Sequence, residues 1–291
     1  MSIEGAQLRK ADSKLDIAAL AADLVAPDIA FRNAPQNILL TGIGGMGVTT
    51  AAAVLAMAAH IDGKAVSTLD MTGLAQKGGP VTSQIRLAPL DQPIQGPRVP
   101  AGALDVLLAG DMLVADGIEA LEMIDIDRTF GVLNSRIAPT AEFARSLTQS
   151  FDVIKLRDTL NANLKQRWEV DFAGLAEQLF GDTLFANMML IGFAWQKGLV
   201  PVAAAAIEQA SHLNRVAAET NRLAFLAGRI AAEKPDRLRD ETPGEGQPDV
   251  DLDTRIDFLA RELTAYQNEA YAQTFRSFVA TVRQYDLRAR G

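Results

Sequence analysis

The sequence predicts an α/β fold, a doubly wound and mainly parallel Rossmann-like sheet that is followed by a helical C-terminal extension. A short apolar run at 37–41 enters a glycine turn at 42–47, which opens into an alanine-rich helix pattern. Strand and helix patterns then alternate to about residue 200, and strands separated by helices favour a parallel sheet with right-handed connections. Beyond residue 250, apolar residues recur at helical spacing.

Hydrophobic periodicity places the elements along the chain. Apolar runs predict strands at Asn37–Thr41, Ala65–Leu69, Val81–Leu87, Asp105–Ala109, Arg128–Asn134 and Asp152–Lys155. Helical spacing predicts helices at about Val48–Ile61, Met112–Met123, Ala141–Leu147 and Leu160–Leu164. The segment Leu184–Trp195 is apolar on all sides, which predicts a buried helix whose Asn187 needs a hydrogen-bond partner. A long helix is expected from Pro201 to about Ala232, with a break near His212 left open.

The same patterns divide the chain into four segments. Residues 1–36 form an extension with a short amphipathic helix around Leu15–Val25, which Pro27 ends. Residues 37–232 form the α/β domain, and residues 233–250, charged and rich in proline and glycine, form a linker. Residues 251–291 form a helical tail. Because an isolated helix is marginal in water, this tail is expected to dock on the α/β body, a second copy or a partner.

Composition argues against several classes of function. The chain has 291 residues and no cysteine, which excludes disulfides, a catalytic thiolate and a cysteine-held iron–sulfur cluster. With two histidines, a zinc site or a serine–histidine triad is poorly supported, and we expect no metal site. A net charge of -8 argues against nucleic-acid partners. Neither a membrane span nor a signal pattern is visible, so we expect a cytoplasmic protein.

The glycine turn has the G-x-G-x-x-G spacing, at Gly42, Gly44 and Gly47. In a strand–loop–helix setting, this spacing is typical of a phosphate-binding loop, because backbone N–H groups and a helix N-terminus face the anion. Gly42 would allow the tight turn, Gly44 and Gly45 the close approach of a ligand, and Gly47 the close contact of helix and strand. Asp70 ends the next strand, near where a dinucleotide fold places its ribose-binding acid. A purely structural turn is the alternative.

A second glycine-rich segment, Asp70–Val81, lies between two predicted strands. Its glycines are Gly73, Gly78 and Gly79. Open α/β sheets bind ligands in a crevice at the carboxyl ends of their strands, so this loop is predicted to border the ligand. Lys77 would supply a mobile positive charge there, and Arg86 a fixed one at the end of the next strand. The alternative is a loop that merely turns the chain.

Other polar residues follow strand ends or recur on helices. Asn134 and Arg136 follow a predicted strand, whereas Thr140 is explained as the N-cap of the next helix. Asn214 and Asn221 share one helix face, which invites an interface interpretation over a merely solvated face.

Several motifs in order resemble one known family. They are Gly42–Thr50, Thr72–Gly79, Asn134–Phe143, Phe180–Met188, Gln196–Pro201 and Asn214–Arg229. Over residues 36–232 the chain resembles the gamma-type domain of the 2-oxoacid:ferredoxin oxidoreductases, and within that family the indolepyruvate ferredoxin oxidoreductase branch. Pro80 and Gln84 depart from the alanine and histidine expected there. The tail resembles the beginning of the region that follows this domain in long fused members.

The resemblance implies a share in an enzyme that oxidatively decarboxylates a 2-oxoacid to an acyl-CoA and passes electrons to ferredoxin. Thiamine diphosphate and the iron–sulfur clusters would lie on a large partner subunit, which also meets the ferredoxin-type acceptor, in a hetero-oligomer or a homodimer. This chain would contribute to coenzyme A binding and to assembly, and it would be inactive alone. The implied contacts at the shared site are Gly42, Gly44, Gly45, Met46, Gly47, Gly73, Lys77, Gly78, Gly79 and Asn134. No catalytic residue is assigned.

Two other functions use the same residues. A self-contained NAD-dependent dehydrogenase would combine the glycine turn with Asp70, but the sequence offers no convincing proton donor to accompany them. A non-catalytic assembly module would use the glycine turn for packing alone. Binding of coenzyme A, of NADH or of neither separates the three functions.

Overall fold

The computed structural model describes residues 15–29, 34–73, 78–137, 153–215, 217–238 and 252–289. The chain divides into two compact units, Met1–Arg239 and Asp240–Gly291. The four-segment division drawn from the sequence stays a prediction, and most of its linker lies outside the described residues.

A six-stranded sheet forms the centre of the first unit. Its strands are β1 Gln36–Ile43, β2 Lys64–Thr72, β3 Pro80–Pro89, β4 Val106–Ala109, β5 Phe130–Asn134 and β6 Gln166–Val170, in the order β2-β3-β1-β4-β5-β6. β1, β4, β5 and β6 pair in parallel, while β3 is antiparallel to both β1 and β2. The predicted fold class is therefore confirmed, with one strand running against the rest.

Helices cover both faces of this sheet. In chain order they are α1 Ile17–Ala21, α2 Val48–Ile61, α3 Met112–Ala115, α4 Ile118–Leu121, α5 Val153–Asn163, α6 Phe172–Phe180, α7 Ala186–Gln196, α8 Ala204–Asn214 and α9 Ala218–Glu233. Alternation along β1 shows the two layers. Ile38 and Leu40 join the core under α2 and α7, and Leu39 joins the core under α3 and α5. Helices on both faces define a doubly wound sheet, as predicted.

One predicted strand, Asp152–Lys155, is wrong. The chain is helical from Val153, and Leu156 and Leu160 are buried four residues apart on α5. A four-residue apolar run cannot distinguish a strand from part of a helix. The sixth strand is β6, Gln-Arg-Trp-Glu-Val. It has two apolar residues among its five and no fully buried position, so no apolar run marks it in the sequence.

Two helices of the C-terminal half touch through their backbones. A Cβ atom on Gly192 of α7 would lie 2.0 Å from the Phe225 carbonyl oxygen, and one on Gly228 of α9 would lie 2.0 Å from the Met189 oxygen. The expected burial of α7 is confirmed at every position. The long helix breaks after Asn214, close to where the sequence left a break open. This crossing fixes where α7 and α9 begin, beside the glycine turn.

The N-terminal segment packs against the same helices. Arg229 lies 4.7 Å above the Trp195 ring and donates to Gln196 at 2.8 Å, and burial lowers the pKa of Arg229. Asp23 accepts from Arg237 and Lys234, and these hydrogen bonds hold the pKa of its carboxyl well below its usual value. The described part of the extension is therefore joined to the α/β body.

The second unit contains two helices, α10 Leu252–Tyr266 and α11 Glu269–Ala289, rather than one. Ion pairs of Asp257 with Arg276 and of Asp253 with Arg283 join them at 2.7 and 2.6 Å. The buried side chains within the described part of these helices are alanines, whereas large apolar ones such as Phe278 are exposed. Among the described helices, none is long and apolar enough to cross a membrane.

Candidate functional site

A cavity of about 630 Å³ opens at the carboxyl end of β1. It is lined by Ile43, Gly44, Gly45, Gly47, Val48, Thr49, Thr50, Ala51, Val54, Thr72, Gly73, Gly79, Val81, Leu184, Phe185, Met188, Ala217 and Asn221. The volume falls in the range of small-molecule sites. Both glycine-rich loops predicted from the sequence meet here, because the ends of β1 and β2 and the start of β3 lie at one edge of the sheet.

Two glycines of the turn exchange the roles expected of them. Gly47 has φ +75° and Gly45 φ +90°, so the left-handed turn is made at these positions. A Cβ atom on Gly42 would lie 2.5 Å from Cγ2 of Val48, so Gly42 gives the close helix–strand contact that was assigned to Gly47. Gly42 is accordingly buried behind the cavity instead of lining it.

The N-terminus of α2 opens onto the cavity without a side-chain cap. Its N-cap is Gly47, and no capping hydrogen bond is formed there. The N–H groups of Val48, Thr49 and Thr50 belong to the first turn, which has no carbonyl partners within the helix. Exposed N–H groups and the helix dipole together create positive potential, which favours an anion at this point.

One backbone hydrogen bond joins the two loops, and a second closes the loop that contains Gly73. The Gly44 N–H donates to the Gly79 carbonyl at 2.8 Å, and the Gly73 N–H donates to the Pro80 carbonyl at 3.0 Å. Gly78 takes φ +77° beside them but does not line the cavity. Lys77 lies outside the described residues, so its predicted anion contact stays a prediction.

The opposite wall comes from residues far away in the sequence. Leu184, Phe185 and Met188 contribute apolar side chains, and Asn221 contributes a buried amide. The partner that Asn187 required is the carbonyl oxygen of Met46, which accepts from Nδ2 at 2.6 Å. Met46 thereby meets α7 instead of the cavity. The sequence indicated Asn221 as part of an interface, and no signal placed it opposite the glycine turn.

Asn134 does not line the cavity. Its Nδ2 donates to the carbonyls of Gly110 and Arg136 at 3.1 and 3.3 Å, and its Oδ1 accepts from the Ala173 N–H at 3.2 Å. The geometry therefore supports a part for Asn134 in joining β5 to α6 rather than in ligand contact. Arg136 forms ion pairs with Glu177 and Asp171, and the hydrogen bond to Glu177 raises the pKa of Arg136. Thr140 lies outside the described residues.

Two charged residues assigned near the ligand lie elsewhere. Because β3 is antiparallel, Arg86 pairs with Asn37 at the amino end of β1. Its guanidinium donates to Asn37 and to the carbonyls of Gln95 and Gly96. The expected anion contact of Arg86 is therefore wrong.

Asp70 is likewise displaced from the site. It is exposed on β2, and β3 separates that strand from β1, by roughly 10 Å for two strand spacings. A dinucleotide site needs its acid on a strand next to the first one, so the ribose contact fails here.

No charged side chain lines the cavity in the ranges that the structure covers. The cavity therefore offers backbone N–H groups, three threonines and an asparagine against an apolar wall. Such a set binds and orients a ligand but provides no general acid or base. No group of metal-binding side chains occurs among the described residues either.

Comparisons with known proteins identify the family of this chain. The family model described as pyruvate ferredoxin/flavodoxin oxidoreductase matches residues 37–231. The indolepyruvate oxidoreductase subunit IorB of Pyrococcus horikoshii is 27% identical over 203 residues, which cover 68% of this chain and 96% of that protein. IorB of Thermococcus kodakarensis is 29% identical over 213 residues, with coverage of 68% and 96%.

Two solved structures align with this chain. The gamma subunit of a keto/oxoacid ferredoxin oxidoreductase from Geobacter sulfurreducens aligns with a TM-score of 0.47 at 22% identity, covering 68% of this chain and 98% of that one. A 2-oxoglutarate:ferredoxin oxidoreductase from Magnetococcus marinus, with 2-oxoglutarate, coenzyme A and succinyl-CoA bound, aligns with a TM-score of 0.51 at 15% identity. That alignment covers 69% of this chain and 31% of that one. The family resemblance drawn from the motifs is thus confirmed, and the chain belongs to the pyruvate ferredoxin/flavodoxin oxidoreductase family.

Proposed function

We propose that this chain is the non-thiamine subunit of an indolepyruvate-like 2-oxoacid oxidoreductase, in which it binds coenzyme A and contributes to assembly. Membership of the family and similarity to proteins named indolepyruvate oxidoreductase subunits support the reaction class. The cavity at the glycine turn supports the coenzyme A part. Coenzyme A would supply the thiol that receives the acyl group.

The observation that carries the proposal is the uncapped N-terminus of α2 beside an apolar wall. The diphosphate of coenzyme A needs N–H donors and positive potential, which the backbone at positions 45 and 47–49 provides. Its pantetheine arm is long and weakly polar, and it suits the surface of Leu184, Phe185 and Met188. The open φ +90° position of Gly45, where a Cβ atom would meet nothing within 4 Å, leaves space for the phosphates.

The remaining chemistry is assigned to a partner. A cluster needs thiolate ligands that this cysteine-free sequence does not provide. The large subunit would therefore hold thiamine diphosphate and the iron–sulfur clusters and would reduce a ferredoxin-type acceptor. The described lining of the cavity contains no acid or base that could act on a 2-oxoacid. Binding and orientation of coenzyme A, with exclusion of water by the apolar wall, are what its residues can contribute.

Calorimetric titration of the full chain, alone and with its large subunit, tests the proposal. We expect saturable binding of coenzyme A and of pyrophosphate, and no binding of NADH at the same concentrations. Activity toward 2-oxoacids should require both subunits. Tight NADH binding without coenzyme A binding would indicate the dehydrogenase, and binding of neither ligand, together with co-purification of the large subunit, would indicate an assembly module.

A further inference from the structure

We infer that Asn187 is a positioning residue that locks the peptide between Met46 and Gly47 in the orientation that binds anions. The inference rests on the proposed function, since it concerns how the same cavity receives phosphate. Asn187 is the second residue of α7 and is 5% exposed. Its contact with the glycine turn spans 141 positions of the sequence.

The Asn187 side chain sets the direction of one carbonyl group. Nδ2 of Asn187 donates to the Met46 oxygen at 2.6 Å, which draws that carbonyl toward α7. In a trans peptide the C=O and the following N–H point in opposite directions. The Gly47 N–H is therefore turned away from Asn187. Gly47 lines the cavity, whereas Met46 does not.

The peptide between Met46 and Gly47 keeps this orientation only if its rotation is prevented. Rotation of the whole peptide plane changes ψ of Met46 and φ of Gly47, and glycine permits either sign of φ. After such a rotation the Met46 oxygen would face the phosphate in place of an N–H donor. A carbonyl dipole pointing at an anion repels it, so one flipped peptide would make the turn repel an anion instead of binding it.

The Asn187 amide is itself held in place. A Cβ atom on Gly110 would lie 2.7 Å from Oδ1 of Asn187, so glycine at position 110 leaves room for the amide. The Gly110 N–H donates to the Thr41 carbonyl at 2.8 Å, which ties the end of β4 to the end of β1. The amide is thus enclosed between two strand ends and the turn, with its donor aimed at Met46.

The test compares Asn187→Leu with Asn37→Leu in the full chain. Asn37 is a matched control because it is 3% exposed and uses its amide in buried hydrogen bonds, but at the opposite end of β1. The dissociation constants of coenzyme A and of pantetheine, which lacks phosphate, are measured for each variant below its unfolding temperature. If Asn187→Leu does not fold, the smaller Asn187→Ala, which also removes the donor and adds no charge, replaces it.

We expect Asn187→Leu to weaken coenzyme A binding tenfold or more and pantetheine binding less than twofold, whereas Asn37→Leu changes neither affinity by more than twofold. A merely structural role for Asn187 would lower the unfolding temperature and leave the ratio of the two affinities unchanged, and that result would overturn the inference. If the unaltered chain binds coenzyme A but the variant binds it equally well, the inference alone fails. If the unaltered chain binds no phosphate ligand, the proposed function fails with it.

Discussion

The two ends of strand β1 differ in their polar groups, which are charged side chains at one end and backbone N–H groups at the other. At the amino end, charged side chains meet and satisfy one another. Asp105 accepts from Nε and Nη2 of Arg128 at 2.9 and 3.0 Å and from the Asn37 N–H at 2.8 Å, and Arg86 donates to Asn37. At the carboxyl end, the described lining of the cavity contains no charged side chain, and the backbone of the glycine turn and of α2 supplies the donors.

The side chains at the amino end stabilise the fold, whereas the backbone donors at the carboxyl end are available to a ligand. Buried charges are retained where partners repay their desolvation, so the amino end is a structural joint. Unpaired N–H groups at the carboxyl end are tolerated because the cavity is open to solvent or ligand. Arg86 was expected near a ligand anion, but it belongs to the joint at the amino end.

The largest effect that we expect is on stability, from Asp105→Ala. The substitution leaves the Arg128 guanidinium and the Asn37 N–H without their acceptor. Arg128 is 38% exposed, which moderates the loss to about 2–3 kcal/mol in the free energy of unfolding. Urea denaturation measures that loss. Coenzyme A affinity should stay within twofold, and a larger change would contradict the separation of the two ends.

Arg86→Met should lower the free energy of unfolding by about 2 kcal/mol. The hydrogen bonds to Asn37, Gln95 and Gly96 are lost, while the apolar part of the side chain is kept. Parallel calorimetry should find unchanged coenzyme A binding. Weaker binding of coenzyme A with unchanged binding of pantetheine would restore Arg86 as an anion contact.

Gly45→Ala should act in the opposite sense, on binding more than on stability. The φ of +90° disfavours any L-residue, so we expect a loss of about 1 kcal/mol in unfolding free energy. The new methyl group enters the space assigned to the phosphates, and coenzyme A affinity should fall about tenfold, the equivalent of about 1.4 kcal/mol. Gly63→Ala is the control, since Gly63 also has a positive φ, +71°, with nothing within 4 Å, but lies outside the cavity lining.

Asp70→Asn should have the smallest effect. Asp70 is exposed on β2 and does not line the cavity, so stability should change by less than about 0.5 kcal/mol. Fluorescence titrations with coenzyme A and with NADH should give the same curves as for the unaltered chain. A selective change with NADH would revive the dinucleotide interpretation.

Local signals predicted the carboxyl end of β1 well. The bounds of α2, Val48–Ile61, match the expected helix, and both glycine-rich loops reach one cavity. The amino end was misjudged because the antiparallel pairing of β3 is a property of the whole sheet and leaves no mark in β3 itself.

Long-range packing limited the prediction of the site. Leu184, Met188 and Asn221 line the cavity because of a helix crossing that two glycines allow, Gly192 and Gly228. Glycine within a helix pattern signals a close approach but does not name the partner. The need of Asn187 for a hydrogen bond was predictable from burial, whereas the identity of its acceptor was not.

The proposed function requires that the N–H groups at positions 45 and 47–49 bind the phosphates of coenzyme A. A crystal structure of the chain with coenzyme A, alone or with its large subunit, tests it most directly. We predict the diphosphate within hydrogen-bond distance of these N–H groups and the pantetheine arm along Leu184 and Met188. Coenzyme A bound at any other surface of this chain, or held by the large subunit alone, would contradict the claim.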